Sequence, residues 1–363
     1  MRTVFIKNQG KLFQVVLKSI NVPLRYIHTK ESLEPVWRSI CKVDSNKDVL
    51  SGEPLVKFTL ISRSETEHIF TVRLSHAQYD GSSRPIILRD LVTAYNQDIH
   101  SGPVCATFPD YVYFCASNRS KCAFNFWKDY LQGSVMTMLP CSDLQANQVS
   151  ADIHEIAFGD LPSALEDITI PTLINAAFSF VLASLTKKDD VVFGVVTNTR
   201  AIPLPRVHTI LGPCINHNPL RARLAQVWSV IDLCRLLRDQ YAQSQQFCHI
   251  EFSDILAKST DWPSDTKLGC ILNHLGEGDN SSLPLKGGGI ISDSFAMGRI
   301  DLQDQLLIRA IPGKGKLQVQ VLTSNRIMDS EQAGLLAKSL IDTANAFAMS
   351  PEAPLSSMSF LHT

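Results

Sequence analysis

Apolar and polar positions change period along this chain, and the changes mark its elements. Val4 and Ile6 alternate with polar neighbours, Lys7-Asn8-Gln9-Gly10 offers turn chemistry, and Leu12 to Leu17 resumes, which predicts a hairpin. The chain would then open in the middle of a sheet. Ser32 and Glu34 suit the start of a helix running to Val43. Leu55 to Ile61 and Ile69 to Leu74 read as strands around the polar loop Ser62 to Glu67. A helix follows to about Tyr95, with Ser82 and Ser83 as caps and Pro85 in its first turn. Residues 101–122 look irregular, Ala123 to Leu131 helical, and Gly133 to Val149 a linker.

Beyond the linker, Ile153 to Phe158 and Val191 to Val196 are strand-like, and Thr172 to Leu185 is a helix apolar almost all round. A Pro-rich segment, Ala201 to Pro213, precedes a strand at Leu220 to Leu224 and a helix at Val227 to Gln243. Leu268 to His274 alternates weakly and predicts a strand. Gln305 to Ile311 and Leu317 to Thr323 form a hairpin around Pro312 to Gly315, with Val319 and Val321 on one face. Ser330 to Phe347 places Ala333, Leu336, Leu340, Ala344 and Phe347 on one helical stripe. The fold class is α/β: two similar α+β two-layer sandwiches, residues 1–149 and 150–363.

Length and charge narrow the function. The 363 residues suit two lobes or one large domain. With 34 Lys plus Arg against 35 Asp plus Glu, no strong field exists to hold nucleic acid or an anionic membrane. The most apolar stretch, Ile170 to Leu185, contains Pro171 and Asn175 and falls short of the ~20 residues of a membrane span. Nine scattered cysteines without a CxxC pair argue for reduced thiols in a cytoplasmic protein and against a zinc knuckle. No histidine has metal-ligand spacing, so no metal is expected. Cys214 and Cys270 have no His or acid neighbour and read as buried thiols. Gly287-Gly288-Gly289 lacks a following Lys-Ser or Lys-Thr and is a crossover, not a phosphate loop.

The sharpest chemical signal is Ser75-His76-Ala77-Gln78-Tyr79-Asp80-Gly81, just past a strand end. A His there can accept a proton from an attacking amine or hydroxyl near neutral pH. A carboxylate four residues later can fix the loop, and Gly81 supplies backbone freedom. Taken alone, the same residues also fit a surface His in a turn before a helix.

More of the chain agrees with the first reading. Arg73 to Ser83 resembles the active-site motif of condensation domains of nonribosomal peptide synthetases, which have the chloramphenicol-acetyltransferase-like fold. Trp127 to Gly133 resembles the helix before that family's inter-lobe linker, and Asp190 to Gly194 through Arg200 its strand ending in Arg. Leu211-Gly212-Pro213-Cys214-Ile215-Asn216 through Pro219 and Arg221 is similar to its G-P-x-x-N-x-x-P-x-R segment. Thr260 to Pro263 and Leu272 to His274 resemble segments of fungal members. The likeness implies a pseudo-dimer of two such lobes and acyl transfer from a carrier-bound phosphopantetheine thioester to an amine or hydroxyl.

Ser75 stands where many peptide-forming members have a second His. That is similar to fungal terminal condensation-like domains, which release a peptide by intramolecular cyclisation; it is also compatible with a condensation domain that lost its first His. The resemblance casts His76 as general base, or as the group that orients the nucleophile and stabilises the tetrahedral intermediate. It pairs Asp80 with Arg200 in a clasp below the imidazole, at the bottom of a crevice between the halves. It aims the Gly81 N–H at the reacting carbonyl and puts Ser75, Ser83, Asn273 and His274 along the substrate path, although Asn273 and His274 equally fit ordinary polar residues of a strand. His217 departs from the small residue usual after the family's Asn.

No cofactor is expected on the chain itself; the phosphopantetheine arm would come from a peptidyl carrier domain, the partner, loaded with a peptidyl thioester. The family's opening strand and helices precede the segment similar to Arg2 to Val4, so the first lobe reads as N-terminally truncated. Two other functions stay open. An acyl-CoA acyltransferase of the same fold is disfavoured because Ser294 to Gly298 does not match the plant-type Asp-Phe-Gly-Trp-Gly segment. A non-catalytic carrier-docking remnant is opposed by the intact His76 to Gly81 loop. An epimerase would carry a Trp where Ser83-Arg84-Pro85 stands.

Overall fold

The computed structural model describes residues 2–22, 24–45, 52–96, 106–142, 153–276, 283–284, 290–291, 302 and 304–358. The chain divides into two compact units, and the division is not a single cut. One unit comprises Met1–Phe108, His208–Cys214 and Asn280–Ile300; the other comprises Pro109–Val207, Ile215–Asp279 and Asp301–Thr363.

The first unit opens with β1 (Thr3–Asn8) and β2 (Lys11–Val16), paired antiparallel. Gln9 and Gly10 turn between them at φ of +46° and +75°, a two-residue turn with both positions in the left-handed region. The hairpin is a two-stranded sheet of its own, not part of a larger one as the sequence pattern suggests. The strand β3 (Leu24–His28), largely exposed and without clear alternation, escapes the sequence pattern. It runs parallel to β4 (Val56–Ser62), which pairs antiparallel with β5 (His68–Leu74). The helix α1 (Leu33–Ser45) packs on β4 and β5, with Trp37 buried, and α2 (Ser83–Tyr95) follows the loop after β5.

Residues expected to be irregular include a helix, α3 (Phe108–Ser117). Tyr111, Val112, Tyr113 and Phe114 have weak helix propensity, so context decides that segment. Next come α4 (Lys121–Leu131) and β6 (Ile153–Asp160). The helix α5 (Ile170–Thr186) is the core element its composition predicts: Pro171 sits in the first turn, the Thr169 side chain caps the start, and ten of its residues are buried. After β7 (Asp190–Asn198) and β8 (Ile215–Arg223), α6 (Val230–Ser244) starts with a capping box of Ser229 and Asp232. A short helix without a clear sequence signal, α7 (Phe252–Ser259), leads to β9 (Cys270–His274).

Two-residue strands β10 (Leu283–Pro284) and β11 (Ile290–Ile291) pair with each other. The triple glycine at 287–289 and the segment at 294–298 lie outside the described residues. The hairpin β12 (Leu306–Gly313) and β13 (Lys316–Thr323) turns on Lys314 and Gly315 alone, so Pro312 and Gly313 lie within the strand. The last helix, α8 (Ser330–Met349), begins with an Asp329–Gln332 capping box and buries the stripe read from sequence.

The second unit is organised by a six-stranded sheet in the order β6-β13-β12-β9-β7-β8. Its strands alternate faces. Ile308, Ala310, Val319, Val321 and Leu272 face α5, α6 and α8 in the main core. The ring of Phe178 on α5 meets Phe193 on β7 edge-on, with centroids 4.9 Å apart. On the opposite face, Val192 and Ile271 pack with Trp127 of α4 and Ile255 of α7. Helices thus lie on both faces of this sheet, adding α4 and α7 to the two layers expected. Among the described residues no helix is long and apolar enough to cross a membrane.

One close approach tests this packing. A Cβ on Gly269, at the entry to β9, would stand 2.6 Å from the Thr137 carbonyl oxygen and 2.6 Å from Met138 Sδ. Gly269→Ala should therefore lower stability by about 1–3 kcal/mol. Thermal melting checks this; an unchanged transition would mean that residues 137 and 138 do not press on this backbone.

Candidate active site

The sequence-predicted loop lies in the first unit, between β5 and α2. The Ser75 side chain accepts from the Ala77 N–H at 3.3 Å and caps a 3-10 turn, His76–Gln78. This turn presents the imidazole. His76 Nδ1 lies 2.9 Å from the Tyr79 carbonyl oxygen. A carbonyl only accepts, so Nδ1 carries the proton and, in the neutral ring, Nε2 holds the lone pair. The ring stacks on Tyr79, with centroids 4.9 Å apart and planes 13° apart. His76 is exposed. Burial pushes the Tyr79 phenol up, which keeps that ring a neutral platform.

Asp80 has the opposite environment, with none of its surface exposed. Its Oδ1 accepts from the Ser83 N–H and hydroxyl, both at 2.9 Å, and its Oδ2 accepts from the Cys214 N–H at 2.9 Å. Ser83, also fully buried, accepts from the Gly212 N–H at 3.2 Å and lies 3.2 Å from the Gly212 carbonyl. In the sequence Ser83 reads as a helix cap. The structure makes Asp80 the group that accepts from the first turn of α2, and Ser83 the stitch to the segment His208–Cys214. Gly212 also has the Phe108 ring against its Cα, where a Cβ would clash with that ring. Cys214, buried as expected, contributes its backbone rather than its thiol.

Gly81 corrects another expectation. Its φ lies outside the left-handed region, and an added Cβ would meet nothing within 4 Å. The loop's backbone does not require glycine there; what the residue leaves is open space at its Cα.

The remaining candidates belong to the second unit. Arg200 follows β7, and its N–H donates to Asn198 Oδ1 at 3.0 Å. Asn273 and His274 are neighbours on β9 and therefore point to opposite faces. His274 donates from Nε2 to Asn175 Oδ1 of α5 at 2.8 Å, which places it on the α5 side; burial pushes its pKa down to about 4. Asn273 shares the other face with Ile271. Burial also lowers the His217 pKa and pushes the Cys270 thiol up to about 12, which leaves that thiol unreactive.

Several of the segments that carry the resemblance meet elsewhere in this unit. Arg221, only 5% exposed, donates from Nε to Asp190 Oδ1 at 2.9 Å and from Nη2 to Asp190 Oδ2 at 2.5 Å. Its Nη1 donates to the carbonyls of Tyr130 and Gln132 at 3.1 and 2.9 Å. Trp262 donates to the Ser134 carbonyl at 2.6 Å, and Asn216 donates to the carbonyls of Cys248 and Ile250 at 2.9 and 2.6 Å. These residues secure β7, β8 and the ends of α4 and α7. Among the described residues no cluster of His, Cys, Asp or Glu could hold a metal ion.

A family model described as "Condensation domain" matches residues 1–363. The chain belongs to the condensation-domain family. It is 39% identical over 363 residues to nonribosomal peptide synthetase penN of Penicillium thymicola, covering 99% of this chain and 13% of that protein. It is 36% identical over 360 residues to nonribosomal peptide synthetase fmqA of Aspergillus fumigatus, covering 98% of this chain and 9% of that protein. This condensation domain thus spans about a tenth of the length of those fungal relatives. A solved structure described as "holo T3CT" resembles it with TM-score 0.88 and 30% identity, over 98% of this chain and 82% of that one. The starter condensation domain of rhizomide synthetase RzmA shares the fold, with TM-score 0.78 and 15% identity over 99% of this chain and 86% of that one. Condensation domains of nonribosomal peptide synthetases catalyse peptide-bond formation, an acyl transfer, and this chain falls in that enzyme class.

The backbone donors to Asp80, Cys214 N–H above all, have no signature in the residue types. The Gly-Pro-Cys segment that supplies one of them stands out in the sequence only through its family resemblance.

His274 makes an acid-sensitivity prediction. Its pKa falls from 6.5 unfolded to about 4 folded, so the contribution is complete above 6.5 and is lost as pH drops towards 4. The loss is about 1.4 kcal/mol per pH unit in that window. Urea unfolding at pH 7 and pH 5 should show this slope flattened in His274→Gln; an unchanged slope would mean that the imidazole is open to water.

Proposed function

We propose that this condensation domain transfers a peptidyl group from a carrier's phosphopantetheine thioester to an amine or hydroxyl of the same peptide, releasing a cyclic product. The observation that carries the catalytic part is the His76 imidazole, anchored through Nδ1 with Nε2 left as proton acceptor. The nucleophile's N–H or O–H proton passes to Nε2 while its nitrogen or oxygen attacks the thioester carbonyl carbon. A tetrahedral intermediate forms; the C–S bond then breaks, and the departing thiolate takes the proton back from the imidazole. Acyl thioester and nucleophile become amide or ester plus free thiol, with no other reactant.

Asp80 is a positioning residue in this scheme, since its oxygens are engaged by Ser83 and Cys214. The Gly81 N–H is suited to the developing oxyanion, and the open space at its Cα leaves room for the carbonyl. Cyclising release is supported by Ser75 in place of a second His and by the likeness to terminal condensation-like domains. Ser75 serves as a turn cap, so the loop holds its shape with one imidazole. The carrier domain is the partner this chemistry requires.

Two variants test the reading. With a peptidyl-loaded holo-carrier, His76→Ala should lower turnover by about 10²–10⁴-fold; unchanged turnover would remove His76 from the chemistry. Mass spectrometry should find a product one water lighter than the linear acid, and linear acid alone would exclude cyclisation. Gly81→Ala should leave the melting temperature unchanged or slightly raised, because the site has neither a clash nor positive φ, yet it should cut turnover. Full activity in that variant would show that nothing reacts beside this backbone.

A further inference from the structure

The six-stranded sheet buries two arginines, and they differ in one respect. Arg221 is matched by Asp190 and two carbonyls. Arg309 on β12, 9% exposed, has no carboxylate partner among the described residues; its Nη1 reaches Gln320 Oε1 at 3.5 Å. A guanidinium stays charged, and a buried charge without a counter-ion is costly. Burial depresses its pKa.

The sheet register defines its surroundings. Arg309 lies opposite Asn273 on β9 and opposite Gln320 on β13, and Gln320 lies opposite Ile156 on β6. Paired residues share a face. A row of carboxamide, guanidinium and carboxamide therefore crosses three strands, on the face turned away from α5 and α8. Leu307 and Ile311 flank Arg309 along β12, and the row runs out to exposed Ile156. Such a row offers a planar fork of N–H donors, two amides that can add donors, and an apolar border.

We infer that Arg309, Asn273 and Gln320 form a recognition site for a planar carboxylate carried by a small ligand with an apolar body. A carboxylate matches the fork bidentately and supplies the missing charge. Within the proposed function, the ligand class is an acyl or peptidyl substrate that keeps a free carboxylate; the binding site itself rests on no step of acyl transfer.

The test therefore measures binding without turnover. Benzoate, its neutral analogue benzamide and inorganic phosphate are titrated into the full chain by isothermal calorimetry. Benzoate should bind at least about tenfold more tightly than either of the others. Arg309→Met should abolish that margin, and Arg309→Lys should keep part of it. If Arg309→Met loses its cooperative melt, Gln320→Met carries the comparison, with a smaller loss expected. Equal binding of benzoate and benzamide overturns the inference, as does benzoate binding that survives Arg309→Met in a folded protein. Phosphate binding more tightly than benzoate also overturns it and points to a phosphate ligand. A domain inactive in acyl transfer that still distinguishes benzoate from benzamide would leave this site standing while the catalytic reading falls.

Discussion

The carboxylate of Asp80 is the constraint on which the candidate active site depends. Fully buried, it must find its hydrogen bonds inside the protein. It takes them from the first turn of α2 and from Cys214, a residue 134 positions away. Those bonds hold the end of the β5–α2 loop to the His208–Cys214 segment. The carbonyl of Tyr79, immediately before Asp80, is thereby held in place, and that carbonyl selects the His76 tautomer. A fully buried acid thus fixes the carbonyl that anchors an exposed imidazole.

The second unit uses the same principle with the sign of charge reversed. Arg221 gathers Asp190 and the carbonyls at the end of α4, so segments that carry the family resemblance act as structural clasps. They keep the ends of β7 and β8 in register while the main core, on the other face, is filled by α5, α6 and α8. Two buried guanidiniums in the same sheet thus differ: one meets a carboxylate and two carbonyls, the other only a carboxamide oxygen at 3.5 Å among the described residues. Burial alone would group Arg221 with Arg309; their partners distinguish them.

Legibility in the sequence follows the strength of the local signal. The helix α5 is evident from its apolar composition and α8 from its stripe, and both hairpins from their turn residues. The strand β3 escapes because an exposed edge strand needs no alternation, and α3 because its aromatic and β-branched residues favour helix only weakly. At the candidate active site, His76 and Asp80 are readable as side chains. The Tyr79 carbonyl and the Cys214 N–H are not, because every residue but proline carries the same backbone groups. Asn273 and His274 look like a pair of lining residues, although strand period separates consecutive side chains.

The amino-acid sequence by itself determined the family, the local elements with strong period or caps, and the His76 to Gly81 loop as the candidate place of chemistry. Tertiary structure alone decided which imidazole nitrogen is left to accept a proton. It also decided that Ser83 is a stitch rather than a cap, that Gly81 is not needed for its backbone freedom, and that Arg309 lacks, among the described residues, the counter-ion Arg221 has. The reason is physical: period, turn preference and capping act over a few residues, whereas hydrogen-bond satisfaction and burial of charge depend on groups brought together from distant parts of the chain.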